Sequence, residues 1–284
     1  MATLREIRRR IRSVRNTAQI TKTMEMVSAA KLRRAQSAVE SARPYATLLR
    51  EVLQNLAQAS SGEVLHPAFV RREVKTRALV LVTSDRGLAG AFNANLVRAA
   101  ELRIREAGRP TRLVLLGKKG YAYFRRRNAD VLAFRDDMGG VADWKYAETL
   151  SRDLLERFLS GEVDEVDLVT TKFKSALSRE ITLQTLLPLG SLREAGAPSR
   201  DYIFEPGPEE IVARIVPYFL AMRIYTALAE SAASEHGARM IAMGSATKNA
   251  NEMIQNLTLH MNRTRQATIT REIVEIVAGA EALK

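Results

Sequence analysis

The sequence predicts an α/β protein built in two parts, a long antiparallel coiled coil of N- and C-terminal helices plus a central Rossmann-like α/β domain. Two observations carry this. Apolar residues recur at threes and fours through both ends of the 284-residue chain, and between those ends short apolar runs alternate with helical segments. Charge divides the chain in the same way, because most of the excess of 44 Lys+Arg over 32 Asp+Glu lies in its first fifth. The expected divisions are residues 1–60, an N-terminal shaft helix; residues 61–206, a central α/β foot; and residues 207–284, a C-terminal shaft helix that pairs with the first.

From Leu4 to about Ala57 the apolar rhythm runs Leu4, Ile7, Ile11, Val14, then Ile20, Met24, Val27, then Leu32, Ala35, Val39, Ala42, and last Leu49, Val52, Leu56. Pro44 is the only proline in this stretch and the first glycine is Gly62, so one helix with a single kink near Arg43 is expected. At 1.5 Å per residue it would be roughly 80 Å long, against a radius of gyration near ~19 Å for a compact chain of this length, and so it should protrude.

The middle has a different texture. Ala78 to Thr83, Arg112 to Leu116, Val131 to Phe134, Val166 to Thr171 and Ile181 to Leu187 read as strands. The segments near Ala94 to Glu106, Lys119 to Arg127 and Tyr146 to Leu159 read as helices. Strand alternating with helix implies a largely parallel sheet, with the last two strands paired as a hairpin across Ser178-Arg179. Having its own strands and helices, this segment is expected to fold without its flanking helices.

After the breaker Pro206-Gly207-Pro208 a second helix is expected to about Ala278, bent near Pro217, with Ala and Gly from Ala229 through Gly244 permitting close helix approach. Pairing the two terminal helices antiparallel is the economical packing. The second is about fifteen residues longer, so its end should overrun by on the order of 20 Å. That tip carries Ile269, Ile273, Ile276, Val277 and Leu283, apolar surface that needs another protein around it.

Composition narrows the function classes. A formal charge of +12 calls for an acidic partner. The absence of cysteine removes disulfides, thiolate nucleophiles and cysteine metal sites, and His66, His236 and His260 lack metal-ligand spacing. No unbroken apolar run approaches the ~20 residues of a membrane span. The Arg-rich start contains Glu6 and continues the helical rhythm, so it reads as mature protein. Ser84-Asp85-Arg86-Gly87-Leu88-Ala89-Gly90 lies between strand and helix, where α/β folds bind ligands, yet it has neither P-loop nor dinucleotide spacing. Tight strand-to-helix turns explain its glycines, as they do those of Gly117-Lys118-Lys119-Gly120. Arg5, Arg8, Arg9, Arg10, Arg12 and Arg15 lack the aromatic neighbours of a nucleic-acid site and read as a solvated or acid-facing helix surface. Glu235-His236 and Asp136-Asp137 read as chance neighbours.

Three separated segments carry a resemblance: Gln19 to Val27 (QITKTMEMV), Val82 to Leu88 (VTSDRGL) and Arg263 to Ile273 (RTRQATITREI), with Glu275 and Gly279-Ala280 closing the tail. Over essentially its full length the chain resembles the gamma-subunit family of F-type ATP synthases. The resemblance implies a non-catalytic rotor: a shaft inside a ring of three alpha and three beta subunits and a foot on the epsilon subunit and the c ring, with proton flow turning the shaft. No cofactor, metal or nucleic acid is implied, and membrane association is through partners, at the cytoplasmic face of a bacterial plasma membrane. Carried over by resemblance, Met24 with Thr23 and Glu25 would face an acidic beta loop. Arg239, Arg265, Gln266, Thr270, Glu272 and Glu275 would make polar contacts with the ring, and Tyr202 and Glu205 would face the c ring. Lys248, Met261 and Gly244 depart from the family pattern, and the lack of cysteine excludes the thiol control of the chloroplast type.

Overall fold

The computed structural model describes residues 3–59, 66–137, 140–190 and 207–281. Helix α1 spans Leu4–Ala59 and continues through Pro44. A short 3-10 turn, Pro67–Phe69, absent from the sequence reading, leads to β1 (Arg77–Val82), α2 (Phe92–Ala107), β2 (Thr111–Leu116) and α3 (Lys118–Arg125). Then come β3 (Val131–Arg135), α4 (Trp144–Leu159), β4 (Glu165–Phe173), β5 (Arg179–Leu187) and α5 (Pro208–Glu281). Every expected strand and helix is present. Pro208 opens α5 in its first turn, where the backbone N–H groups have no intrahelical partner to lose.

The five strands form one sheet in the order β3-β2-β1-β4-β5. β1 pairs in parallel with β2 and with β4, β2 in parallel with β3, and β4 antiparallel with β5. All six residues of β1 are buried, as a central strand covered on both faces requires. On one face Leu79, Leu81, Leu113, Leu115 and Val169 pack under Phe92, Leu96, Val97 and Ala100 of α2 and Phe124 of α3. On the other, Ala78, Val80, Val114, Val166 and Leu168 pack under α4 and under Leu53, Leu56, Val212, Val216, Phe219, Leu220, Ile224 and Leu228 of the terminal helices. The terminal helices therefore supply part of this core, which bears on the expectation that the central segment folds without them.

One polar cluster ties β1, β4 and β5 of the sheet to α2. Asp167, fully buried in β4, lies 3.2 Å from Arg77 of β1 and 2.7 Å from Arg103 of α2, and accepts from the Thr185 hydroxyl of β5 at 2.9 Å. A buried carboxylate needs such pairing.

The chain divides into two compact units. One is Ser28–Arg239, containing the sheet; the other joins Met1–Val27 with Met240–Lys284. α5 contains a stretch long and apolar enough to cross a membrane, of mean hydropathy 1.4, but half of it is buried within the protein, and that packing accounts for its apolarity.

Candidate partner interface

The paired helices of the second unit meet along a seam readable from burial. In α1 it runs through Leu4, Ile7, Ile11, Val14, Ala18, Thr21 and Glu25, a strict alternation of threes and fours. In α5 it runs through Met243, Thr247, Ala250, Ile254, Leu257, Met261 and Thr264. The Thr21 and Thr247 hydroxyls lie 2.8 Å apart, and a Cβ on Gly244 would meet the Glu25 carboxyl carbon at 3.5 Å. Position 21 facing 247 and 25 facing 244 makes the pairing antiparallel, as expected.

The seam departs from the apolar rhythm read from the sequence. Ile20, Met24 and Val27 were expected in it, but Ile20 is 60% and Val27 51% exposed, while Thr21 and Ala18 are buried in their place. The reason is steric: small residues let the two backbones approach closely, and the rotation that buries them turns the larger apolar residues outward. Ile20, Thr23 and Val27 thus stand on the outer face at helical spacing, with Met24 half-buried beside them. Met26, also outward, is 56% exposed. Glu25 sits at the seam's rim, 3.3 Å from Lys22.

At the other end α5 outruns its partner. With α1 starting at Leu4 and the register above, residues beyond about Thr268 have no α1 beside them, and the whole of 269–280 is exposed. Ile269, Ile273, Val274, Ile276 and Val277 are between 47% and 71% exposed. Arg265, Gln266, Thr270, Glu272 and Glu275 all lie on this surface and are exposed. Arg265, Ile269, Glu272 and Ile276 fall at spacings of four, three and four on one stripe, interleaving charge with apolar surface. Of the positions departing from the resemblance, Lys248 is exposed, whereas Gly244 and Met261 are half-buried in the seam. Leu283, Tyr202 and Glu205 lie outside the described residues.

Arg239 is placed differently from the other candidate contacts. It is 7% exposed, and its guanidinium donates to Glu235 Oε1 at 2.7 Å, to the Gly87 carbonyl at 3.2 Å and to the Arg86 carbonyl at 3.3 Å. Its charge is spent inside the chain, on the loop that joins β1 to α2. In the sequence that loop and Glu235-His236 lie far apart, and the signal joining them is the run of small and polar residues from Ala229 to Arg239.

This contact also bears on ligand chemistry. In an open α/β sheet a nucleotide sits beyond the carboxyl ends of the strands, where the strand order reverses. Here that reversal lies between β1 and β4, and α5 crosses it: Arg239 binds the loop after β1, and Gly237 packs on Ala176 after β4. The loop amides are engaged as well. Ser84 N–H donates to Asn93 Oδ1 at 3.0 Å, Lys118 N–H to Asp85 Oδ1 at 3.1 Å and Gly120 N–H to Thr83 Oγ1 at 3.0 Å. Among the described residues no group of three His, Asp or Glu side chains could hold a metal ion.

A sheet domain whose ligand crevice is filled by its own helix, joined to a coiled coil with apolar residues turned outward, defines the class of the central-stalk subunits of rotary ATP synthases. A solved chain of this class, from the Tetrahymena thermophila mitochondrial ATP synthase central stalk and c ring, is 27% identical with a TM-score of 0.61, covering 80% of this chain and 99% of that one. One from the Euglena gracilis mitochondrial enzyme, 20% identical, shares the fold at a TM-score of 0.70 over 99% of this chain and 94% of that one. The family model described as ATP synthase matches residues 3–283. The ATP synthase gamma chain of Moorella thermoacetica is 50% identical and that of Anaeromyxobacter dehalogenans 52% identical, each over the full length of both chains. The chain belongs to the ATP synthase gamma-chain family.

Proposed function

We propose that this chain is the central rotor of a proton-translocating F-type ATP synthase, a subunit that performs no catalysis itself. In this reading residues 1–60 and 207–284 form the shaft within a ring of alpha and beta subunits. Residues 61–206 form the foot on the epsilon subunit and c ring, where Tyr202 and Glu205 make contact. The protein then belongs to the F1 sector at the cytoplasmic face of a bacterial plasma membrane, held there by its partners.

The observation that carries this reading is the surface of the coiled coil. Ile20, Val27 and the tip from Ile269 to Val277 present large apolar side chains to water, and clustered exposed apolar surface of this kind marks a protein–protein interaction site. Met24, Arg265, Gln266, Thr270, Glu272 and Glu275 lie among them and are the proposed contacts with the ring. Because α1 and α5 carry different side chains, each neighbour in a threefold ring meets a different surface, and turning the shaft moves those biases from one catalytic site to the next. Arg239 contributes from inside, by holding the loop of Arg86 and Gly87.

Rotation is the test. A cysteine at Ala122, exposed on α3, is the sole thiol and takes a single label. In the assembled complex, with the alpha–beta ring fixed to a surface, ATP should turn a bead on that label in one direction, and the isolated chain should hydrolyse no ATP. Steady hydrolysis by the complex with a stationary bead would overturn the rotor reading.

A further inference from the structure

From Ala227 to Arg239 every residue of α5 is buried, so the helix is enclosed on all sides rather than amphipathic. What encloses it is a ring of loops at the carboxyl ends of the strands, closed by α1. After β1, the carbonyls of Arg86 and Gly87 accept from Arg239. After β3, the carbonyl of Gly140 lies 3.1 Å from His236 Nε2. After β4, Ala176 lies against Gly237, where an added Cβ would stand 3.4 Å from its carbonyl oxygen. From α1, Arg43 bridges Glu230 at 3.1 Å and the Phe173 carbonyl at 3.2 Å.

The fit is close at Gly140, which has φ +67° and where a Cβ would fall 2.5 Å from His236 Nε2, while at Gly237 the hairpin tip lies in ordinary contact. The ring nitrogens of His236 have fixed roles. Nε2 faces a carbonyl and must donate, and Nδ1 faces the Arg239 guanidinium at 3.4 Å and must accept, so the imidazole is neutral. His236 is 2% exposed and cannot touch another subunit.

We propose that Glu230 to Arg239 and the strand-end residues that contact them form a torsional clamp, through which a turning moment on the α/β domain passes into α5, with His236 as the positioning residue that ties Gly140, ahead of α4, to the helix. The site that other α/β folds open to a ligand is here closed on the chain's own helix. Side-chain contacts from several directions resist rotation of a helix about its axis, which contacts on a single face do not. A foot turned by its partners would otherwise shear against α5 before moving it. This inference rests on the rotor reading above.

The experiment uses the assembled complex with the bead on Ala122→Cys and the upper shaft immobilised within the ring, and reads the width of the bead's angular fluctuations. His236→Ala should widen that distribution about twofold, while ATP hydrolysis by freely turning complexes stays near that of the parent. His236→Gln, whose amide N–H can still reach the Gly140 carbonyl, should restore most of the narrow width. A disulfide between cysteines at Ala176 and Gly237 should narrow it again in the His236→Ala background. An unchanged width in His236→Ala accompanied by a lowered melting temperature would make the clamp a stabilising contact only and overturn the proposal. A parent complex that hydrolyses ATP without turning its bead would overturn the rotor reading instead.

Discussion

His236 keeps both of its contacts only as a neutral ring, and its surroundings enforce this. Burial draws its pKa down to about 4; the Gly140 carbonyl opposes the shift, and the charges of Arg239 and of Lys31 on α1 add to it. The nearby Glu235 is raised by burial, against the pull of Arg239, with Asp85 adding to the rise and Lys31 opposing it. The unfolded imidazole titrates near ~6.5, so between that value and about 4 the unfolded chain binds the proton and the folded one does not. Stability is therefore full above the unfolded value and falls as the pH drops toward 4. The loss between pH 7 and 4.5 comes to about 2–3 kcal/mol from this residue. His236→Gln carries no such titration, and urea midpoints at the two pH values should differ by that much less than in the parent chain. Equal acid sensitivity of the two would show that the ring is not held neutral.

At the scale of the helix, outward and seam positions of α1 should respond oppositely to charge. Val27→Asp adds a carboxylate to a side chain already half in water, so the isolated chain's stability should change by no more than about 0.5 kcal/mol. Ala18→Asp buries one at 8% exposure in the seam, and should cost about 3 kcal/mol or more. In assembly the order reverses for the first variant: Val27→Asp should lower the yield or turnover of the complex while melting normally by itself. Thermal melts of the two isolated variants beside their yields in co-expressed complexes make the comparison, and a normal complex carrying Val27→Asp would remove Val27 from the interface.

For the whole molecule, the terminal helices are both shaft and wall. Leu53, Leu56, Val212, Val216, Phe219, Leu220, Ile224 and Leu228 cover one face of the sheet. At about 1.5–3 kcal/mol for each of these eight buried side chains, their loss is on the order of 12–24 kcal/mol, at or above a domain's usual net stability. A fragment of residues 74–190 should therefore show no cooperative thermal transition, whereas a chain in which residues 28–59 and 207–239 are retained should melt cooperatively. A sharp transition in the shorter fragment would mean that α4 alone suffices on that face.

The two long helices, the order of strands and helices between them and the closing hairpin were all legible in the sequence, because each rests on local signals: period, chain-breaking residues and run length. So was the overrun of the C-terminal helix, which needs only two lengths and an antiparallel pairing. The motifs at Gln19–Val27, Val82–Leu88 and Arg263–Ile273 were enough to point to the family. What the local pattern left undecided was direction. Ile20 and Val27 satisfy a helical apolar rhythm as well as Ala18 and Thr21 do, and only the approach distance of a second helix, 226 residues away at Thr247, selects the small residues for the seam and turns the large ones outward. Arg239, given a contact role only by the family resemblance, bonds inside the chain because the loop at Arg86 and Gly87 is brought under it by a sheet formed from distant segments. Periodicity states that a face exists; which face is covered, and by what, depends on packing partners far along the chain.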